Sequence, residues 1–238
     1  MGWDLEADVV VIGFGAAGAC AAIEAAEAGA SVVVLDRFGG GGATALSGGV
    51  VYAGGGTAQQ AEAGVTDTVD AMEAYLRLEV GDAVSPETLR RFCEQSPAMM
   101  TWLTEHGVPF EGSLCPVKTS YPTNRHYLYH SGSELSFAGV APPAPRGHRA
   151  KGAGTSGRVL FQRLAAAAAD RGVLTLGQTI ATAPVIDDDG AVVGVDCRSL
   201  RAAPRWARLA HRVLHRLSRK PFLYAPKIGR LLHKPVAA

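Results

Sequence analysis

Asp8-Val-Val-Val-Ile-Gly13-Phe-Gly15-Ala16-Ala17-Gly18, followed by an alanine-rich run and then Ser31-Val-Val-Val-Leu-Asp36, decides the fold of this 238-residue chain. An apolar, largely β-branched run leads into the glycines, small residues follow over a helical length, and a second apolar run ends in an acid. That order predicts strand, helix and parallel strand, the βαβ unit of dinucleotide-binding domains. Each glycine has its own physical reason. Gly13 turns the chain tightly out of the strand, Gly15 lets bare backbone approach a pyrophosphate, and Gly18 lets the helix pack against the sheet. The helix opening at about Ala16 and Ala17 aims its N-terminal N–H groups and positive dipole end at that anion. Gly29 is expected to close the same helix. Asp36 falls 23 positions after the first glycine, where a carboxylate accepts hydrogen bonds from ribose hydroxyls and favours a 2′-hydroxyl over a 2′-phosphate.

The fingerprint alone does not separate FAD from NAD, because both present an ADP half to the loop. The next segment, Gly39-Gly-Gly-Gly42-Ala-Thr44-Ala-Leu-Ser47-Gly48-Gly49 and on to Thr57, is glycine-dense where a nicotinamide-binding domain would run into its next helix. Thr44 and Ser47 offer hydroxyls. Gly42, Gly48 and Gly49 let backbone approach a ligand longer than ADP, such as a ribityl chain and flavin ring. The plainer alternative for this stretch is a surface loop.

With these residues in view the chain resembles the FAD-dependent 3-ketosteroid dehydrogenases of the wider fumarate reductase and succinate dehydrogenase flavoprotein family. The opening fingerprint and the Gly41–Gly49 loop carry the likeness. Tyr52-Ala-Gly-Gly-Gly-Thr57, Trp102-Leu-Thr-Glu-His-Gly-Val-Pro-Phe110 and Pro143-Ala-Pro-Arg-Gly-His148 look most like the 3-oxosteroid 4-dehydrogenase branch. The resemblance covers about residues 7–198. It implies an α/β fold, a Rossmann-like FAD/NAD(P)-binding domain with a parallel sheet and a β-meander, over residues 1–198, and FAD as cofactor. The cofactor-binding residues it implies are Gly13, Gly15, Ala16, Ala17, Gly18, Asp36, Arg37, Gly42, Thr44, Ser47, Gly48, Gly49 and, by its backbone near the adenine, Ala181. The implied activity is dehydrogenation of a 3-ketosteroid at a CH–CH bond, with hydride passing to flavin N5. Family members are roughly twice as long, their FAD domain alone being of ordinary domain size, so the chain is expected to be a truncated, inactive form. Pro184 departs from the pattern, standing where an extended apolar residue is usual. A fumarate-reductase-like reducer of an enoate and a non-catalytic nucleotide-binding fragment are the competing readings.

Residues 66–111 read as helical scaffold, with a helix capped at Thr66-Asp67 and a second opening at Ser85-Pro86-Glu87. Residues 112–149, rich in Pro, Tyr, His and Ser, show no periodicity and read as a functional loop. Ketone dehydrogenation needs a carbonyl-polarising donor and a base, and Tyr121, Tyr127 and Tyr129 are candidates for either role. The alternative is that these aromatics pin a loop. From Gly157 to Val195 a helix and then strands near Val173–Leu176 and Val192–Val195 read as the meander.

A composition 47% hydrophobic and 19% charged is that of a globular protein. No stretch reaches the roughly 18 apolar residues of a membrane span. The N-terminus lacks a basic signal region, so a cytoplasmic setting is expected. Four scattered cysteines indicate neither a metal site nor a disulfide framework, and no motif for nucleic acid is present. Residues 199–238 differ in kind, with ten Lys or Arg and no acid. On a helical net Trp206, Leu209, Val213, Leu214 and Leu217 line one side and Arg205, Arg208, Arg212, Arg216 and Arg219 the other. A basic helical tail of this kind is read first as an insertion that packs against the remainder of such a protein and, as the alternative, as a peripheral membrane contact through residues 204–220.

Overall fold

The computed structural model describes residues 2–225, 227, 228, 230, 231 and 234. In chain order its elements are β1 (Val9–Ile12), α1 (Ala16–Glu27), β2 (Val32–Asp36), β3 (Val50–Tyr52), α2 (Ala58–Glu62), α3 (Val69–Val80), α4 (Pro86–Glu105), β4 (Leu128–Tyr129), β5 (Gly147–Arg149), α5 (Gly157–Asp170), β6 (Leu174–Gly177), β7 (Thr179–Ile186), β8 (Val192–Ser199) and α6 (Arg205–Tyr224). They group into two compact units, residues 1–40 with 171–238, and residues 41–170. The segment from residue 199 therefore groups with the fingerprint.

In the first unit β1, β2 and β6 form a parallel sheet in the order β1-β2-β6, with Val9 opposite Val32 and Val33 opposite Leu174. Val32 to Leu35 of the central strand are buried, as a strand flanked on both edges requires. The small residues of α1 allow close approach, and Ala19, Ala22 and Ile23 are fully buried. The helix ends one residue before expected, at Glu27. Gly29 follows at φ 89°, its N–H bonding Ala26 O while Ala30 N–H bonds Ala25 O. The Asp8 carboxylate accepts from the Ser31 N–H (2.8 Å) and hydroxyl (2.5 Å), fastening the start of β1 to the entry of β2.

The meander expected after α5 is in part a different structure. The strand at Leu174–Gly177 joins the parallel sheet beside β2, and only β7 and β8 pair antiparallel, as a hairpin with register shifts at Ala181/Ala183 and Val185/Ile186. The reason is Gln178, at φ 55° the one non-glycine residue with positive φ among the described residues. A one-residue connection in that conformation sends the chain out of the parallel sheet at once. Its side chain is held by Arg208 O (3.0 Å) and His211 Nδ1 (2.9 Å) of α6. Helix α6 also stacks His215 on Phe38 at 3.8 Å between centroids. The side chains of residues 219–224, Arg219 among them, lie outside the described residues.

In the second unit α3 and α4 pack through Met72, Tyr75, Leu76, Leu89 and Cys93. The cap of α3 is Thr68, whose hydroxyl accepts from Ala71 N (3.1 Å), rather than Thr66-Asp67. Asp67 is engaged elsewhere, by Arg146. Ser85, Pro86 and Glu87 open α4 as the sequence predicts. Within 112–149 the chain is less irregular than expected: β4 and β5 join β3 in a small antiparallel sheet of order β3-β5-β4.

Candidate functional site

The fingerprint loop leaves β1 at Gly13, φ 95°, with its N–H bonded to Leu35 O at 2.8 Å. Gly15 is the N-cap of α1, extended at φ −95°, with no side-chain cap and no acid in the first helical turn of Ala16, Ala17 and Gly18. A Cβ on Gly18 would lie far inside contact with the Gly13 carbonyl oxygen and 3.1 Å from its carbon. The loop is thus closed by backbone-to-backbone contact that only glycine permits. Asp36 ends β2 beneath it. Its Oδ2 accepts from Phe14 N (3.0 Å), and its Oδ1 accepts from Phe38 N (2.8 Å) and Gly40 N (3.0 Å). Of about four acceptor positions on a carboxylate, these bonds fill three. The acid therefore fastens the loop as well as retaining capacity on Oδ2 for a hydroxyl donor. Arg37 lays its guanidinium over the Phe38 ring, 4.7 Å from its centroid. Ala181 lies in β7 opposite Cys197, at the first register shift.

In the second unit the glycine loop is built around its own carbonyls. Gly41 and Gly42 hold φ of 91° and 45°, and Thr44–Leu46 form a single 3₁₀ turn. Ser47 Oγ donates to Thr44 O (2.8 Å) and accepts from Gly49 N (3.1 Å). Gly49, at φ 68°, has no room for a side chain, because its Cβ would meet Ser156 and Gly157 backbone at 2.5–2.6 Å. Gly48 O accepts from Tyr121 Oη (2.7 Å) and Ser156 Oγ (3.1 Å).

The candidate tyrosines are tied to this scaffold. Tyr121 Oη donates to Gly48 O or Gly154 O, and Tyr127 Oη donates to Asn124 O at 3.0 Å. Their rings flank the Arg149 guanidinium at 4.6 and 5.0 Å. Arg149 is completely buried and donates to the carbonyls of Pro122, Thr123, Gly152 and Gly154 and to Asn124 Oδ1. Tyr129 is buried, and burial pushes its hydroxyl pKa up.

Sequence reading missed Arg149, because one arginine in a polar segment carries no periodic signal. It singled out Tyr52–Thr57 and Pro143–His148 separately but not the buried polar cluster that they form together with Asp67 and Glu134. Arg146 and Asp67 pair bidentately (2.9 and 2.7 Å) with neither side chain exposed beyond 1%. Tyr52 Oη donates to Glu134 Oε1 (3.1 Å), and burial, with the nearby Glu134 charge, raises the Tyr52 pKa. His148 Nδ1 faces Arg146 O (3.1 Å) and Nε2 faces Thr57 Oγ1 (2.8 Å). A carbonyl only accepts, so the proton sits on Nδ1 and the Thr57 hydroxyl donates to Nε2. Burial lowers the His148 pKa to about 4. The unfolded state, with an imidazole pKa of about 6.5, then binds more protons between those values, so stability rises with pH across the window and is flat above it. Up to about 3 kcal/mol is at stake. Denaturant titrations from pH 4 to 7 on the parent and His148→Gln are expected to differ in slope over that range, and equal slopes would refute the assignment.

These geometries accompany a match to the FAD binding domain family over residues 8–216. The chain is 44% identical over 225 residues to the 3-oxo-5-alpha-steroid 4-dehydrogenase of Comamonas testosteroni, covering 92% of this chain and 42% of that protein. It is 32% identical over 198 residues to the digoxin reductase of Eggerthella lenta, covering 81% and 33% respectively. Among solved structures, the 3-ketosteroid-delta4-(5alpha)-dehydrogenase of Rhodococcus jostii RHA1, in complex with 4-androstene-3,17-dione, matches with a TM-score of 0.79 at 39% identity. That match covers 84% of this chain and 43% of the other. A flavocytochrome c3 fumarate reductase matches with a TM-score of 0.67 at 27% identity, over 82% and 31%. The chain thus spans less than half the length of these relatives. A fingerprint closed by glycine backbone, an acid at the end of β2 and a match running through both glycine loops lead to one conclusion: the chain belongs to the FAD binding domain family.

Proposed function

We propose that this chain supplies the FAD-binding part of a dehydrogenase of the 3-oxosteroid 4-dehydrogenase type, oxidising a 3-ketosteroid at a CH–CH bond. The observation that carries the reading is the 44% identity to a steroid dehydrogenase along 92% of the chain, and the family match over residues 8–216 takes in both glycine loops. Residues 1–198 are the FAD-binding domain in this reading, followed by the basic segment 199–238. The residues fit the ADP half of the cofactor. Gly13, Gly15, Ala16, Ala17 and Gly18 hold the pyrophosphate on bare backbone and a helix N-terminus. Asp36 accepts from the ribose through Oδ2, with Arg37 beside it, and Ala181 offers backbone to the adenine. Gly42, Thr44, Ser47, Gly48 and Gly49 are assigned to the ribityl and flavin end. Bound FAD supplies the hydride acceptor, N5. Tyr121 and Tyr127 are positioning residues, since their hydroxyls donate to backbone carbonyls. A cytoplasmic setting with peripheral membrane contact through residues 204–220 completes the reading.

The test is a visible spectrum and an FAD titration of the purified chain. The parent is expected to take up FAD in preference to NAD. Asp36→Ala is expected to weaken uptake by about 1.5 to 3 kcal/mol, as for a lost charged hydrogen bond. Because Asp36 also fastens Phe14, Phe38 and Gly40, Asp36→Asn with its thermal midpoint serves as the control. Uptake of FAD by Asp36→Ala equal to the parent's would overturn the ribose assignment. A 3-ketosteroid that leaves the bound flavin spectrum unchanged in a form of the protein as long as its relatives would overturn the substrate.

A further inference from the structure

Helix α6 divides into three faces. One packs inward, with His211 and His215 stacked on Phe38 and Ser218 buried. A second carries Trp206, Leu209, Val213 and Leu217, spaced as i, i+3, i+7 and i+11, and these large apolar side chains are 73%, 56%, 46% and 55% exposed. The third carries Arg205, Arg208, Arg212 and Arg216, each one residue before an apolar one and so about 100° around the helix from it. Among them Arg205, Arg212 and Arg216 are exposed. No carboxylate occurs from residue 199 onward to neutralise the row. Two of these arginines stand in the first turn of a helix with no acid there, where cations oppose the helix dipole. Such a charge pattern weakens a helix in water and suits one lying against negative charge.

We propose that α6 is an interfacial helix that docks this protein on an anionic phospholipid surface, inserting the Trp206–Leu217 stripe while the arginine row meets lipid phosphates. Tryptophan at one end of the stripe fits the headgroup boundary, where its ring is apolar and its N–H can bond to water or phosphate. The adjoining arginines supply the charge attraction that a short apolar stripe alone lacks. No helix among the described residues is long and apolar enough to cross a membrane, so the contact is with one leaflet. This deepens the peripheral-contact part of the proposed function and is independent of FAD and of the steroid.

Sedimentation of the full chain with vesicles, without added FAD, tests it. Vesicles of phosphatidylcholine with roughly one third phosphatidylglycerol are expected to carry the chain down, and pure phosphatidylcholine vesicles to bind at least about tenfold more weakly. Salt at about 0.5 M is expected to release it. Each exposed arginine contributes about fivefold near such a surface, so Arg205→Gln/Arg212→Gln/Arg216→Gln is expected to lower binding by on the order of a hundredfold. Leu209→Ser/Leu217→Ser, changing only exposed positions, is expected to abolish insertion while keeping the circular dichroism spectrum. Equal binding to both vesicle types, or binding unchanged in the arginine variant, overturns the proposal. So does a concentration-dependent dimer that Leu209→Ser/Leu217→Ser dissociates and vesicles do not compete away, which would give the stripe to a second copy. FAD uptake, followed separately in each variant, is expected to stay at the parent value. Its failure in the parent would count against the cofactor reading and not against the lipid contact.

Discussion

Replacing Gly18 by alanine is expected to destabilise the first unit by about 4 kcal/mol, above the usual overpacking range of 1–3 kcal/mol, and to remove FAD uptake with it. The added methyl group has nowhere to go. Its position lies inside the van der Waals shell of the Gly13 carbonyl oxygen, a backbone atom, and 3.3 Å from Val11 Cγ1 of β1. The neighbour cannot rotate aside as a flexible side chain would. Either α1 slides away from the sheet, uncovering Ala19, Ala22 and Ile23, or the loop between Gly13 and Gly15 is displaced. Gly13→Ala provides the contrast. Nothing lies within 4 Å of its added Cβ, and only the left-handed φ of 95° opposes it, so the expected cost is about 1 to 2 kcal/mol. Thermal unfolding and FAD titration of both variants measure the difference. A Gly18→Ala chain as stable as Gly13→Ala would show that the helix and loop are not in close contact, and would remove the basis of the pyrophosphate site proposed above.

Local chemistry was legible where one short segment contains all the partners. Gly13, Gly15, Gly18 and Asp36 act within a single βαβ unit, so spacing along the chain is nearly spacing in the fold. The same holds for Ser85-Pro86-Glu87 at the start of α4. Sequence pattern failed where long-range pairing overrode it. Val173 to Leu176 reads equally as a meander strand or as the third strand of the sheet, and the choice depends on β2, more than a hundred residues earlier, needing a second neighbour. Asp67 reads as a helix cap until a residue 79 positions away claims its carboxylate. Strand β1 shows the limit of the hydrophobic pattern. Val9 to Ile12 form a continuous apolar run, which predicts burial on both faces, yet Val10 and Ile12 are 41% and 62% exposed on a strand that pairs only with β2 among the described residues. The tyrosines teach the converse lesson. Chemistry left them two readings, proton transfer or the pinning of a loop; the hydroxyls of Tyr121 and Tyr127 donate to backbone carbonyls, and Arg149, which their rings flank, directly follows the Pro143–His148 motif without itself being part of the pattern.

Arg146→Met is expected to cost the second unit about 3 to 5 kcal/mol at pH 7, the effect of stranding a buried charge rather than of losing a pair as such. In the parent, burial pushes the Asp67 carboxyl up, but hydrogen bonds from Arg146, from the Gly55 N–H and from Gln60, with the guanidinium charge, hold it below the ordinary carboxylate range. A depressed carboxylate stabilises the fold fully above its unfolded pKa of about 3.9, and the contribution is lost as pH falls through the lower folded value. Without Arg146 the burial effect prevails and the folded pKa rises above the unfolded one. The variant's deficit then shrinks as acid neutralises Asp67, so the two stability curves converge at low pH instead of running parallel. Asp67→Asn/Arg146→Met removes both charges, keeps an amide for Gly55 N (3.0 Å), and is expected to recover most of the loss. A coupling energy below about 1 kcal/mol in that cycle would place the pair with exposed ion pairs and contradict its burial. The same pair sets the Gly54–Gly56 turn, since a Cβ on Gly54 would meet Asp67 Oδ2 at 2.5 Å and Gly55 holds φ 74° to donate to that oxygen. Breaking it therefore frees the stretch from Tyr52 to Thr57 and, through Thr57, releases the hydroxyl that pairs with His148, so the pH slope assigned to His148 should flatten in Arg146→Met as well.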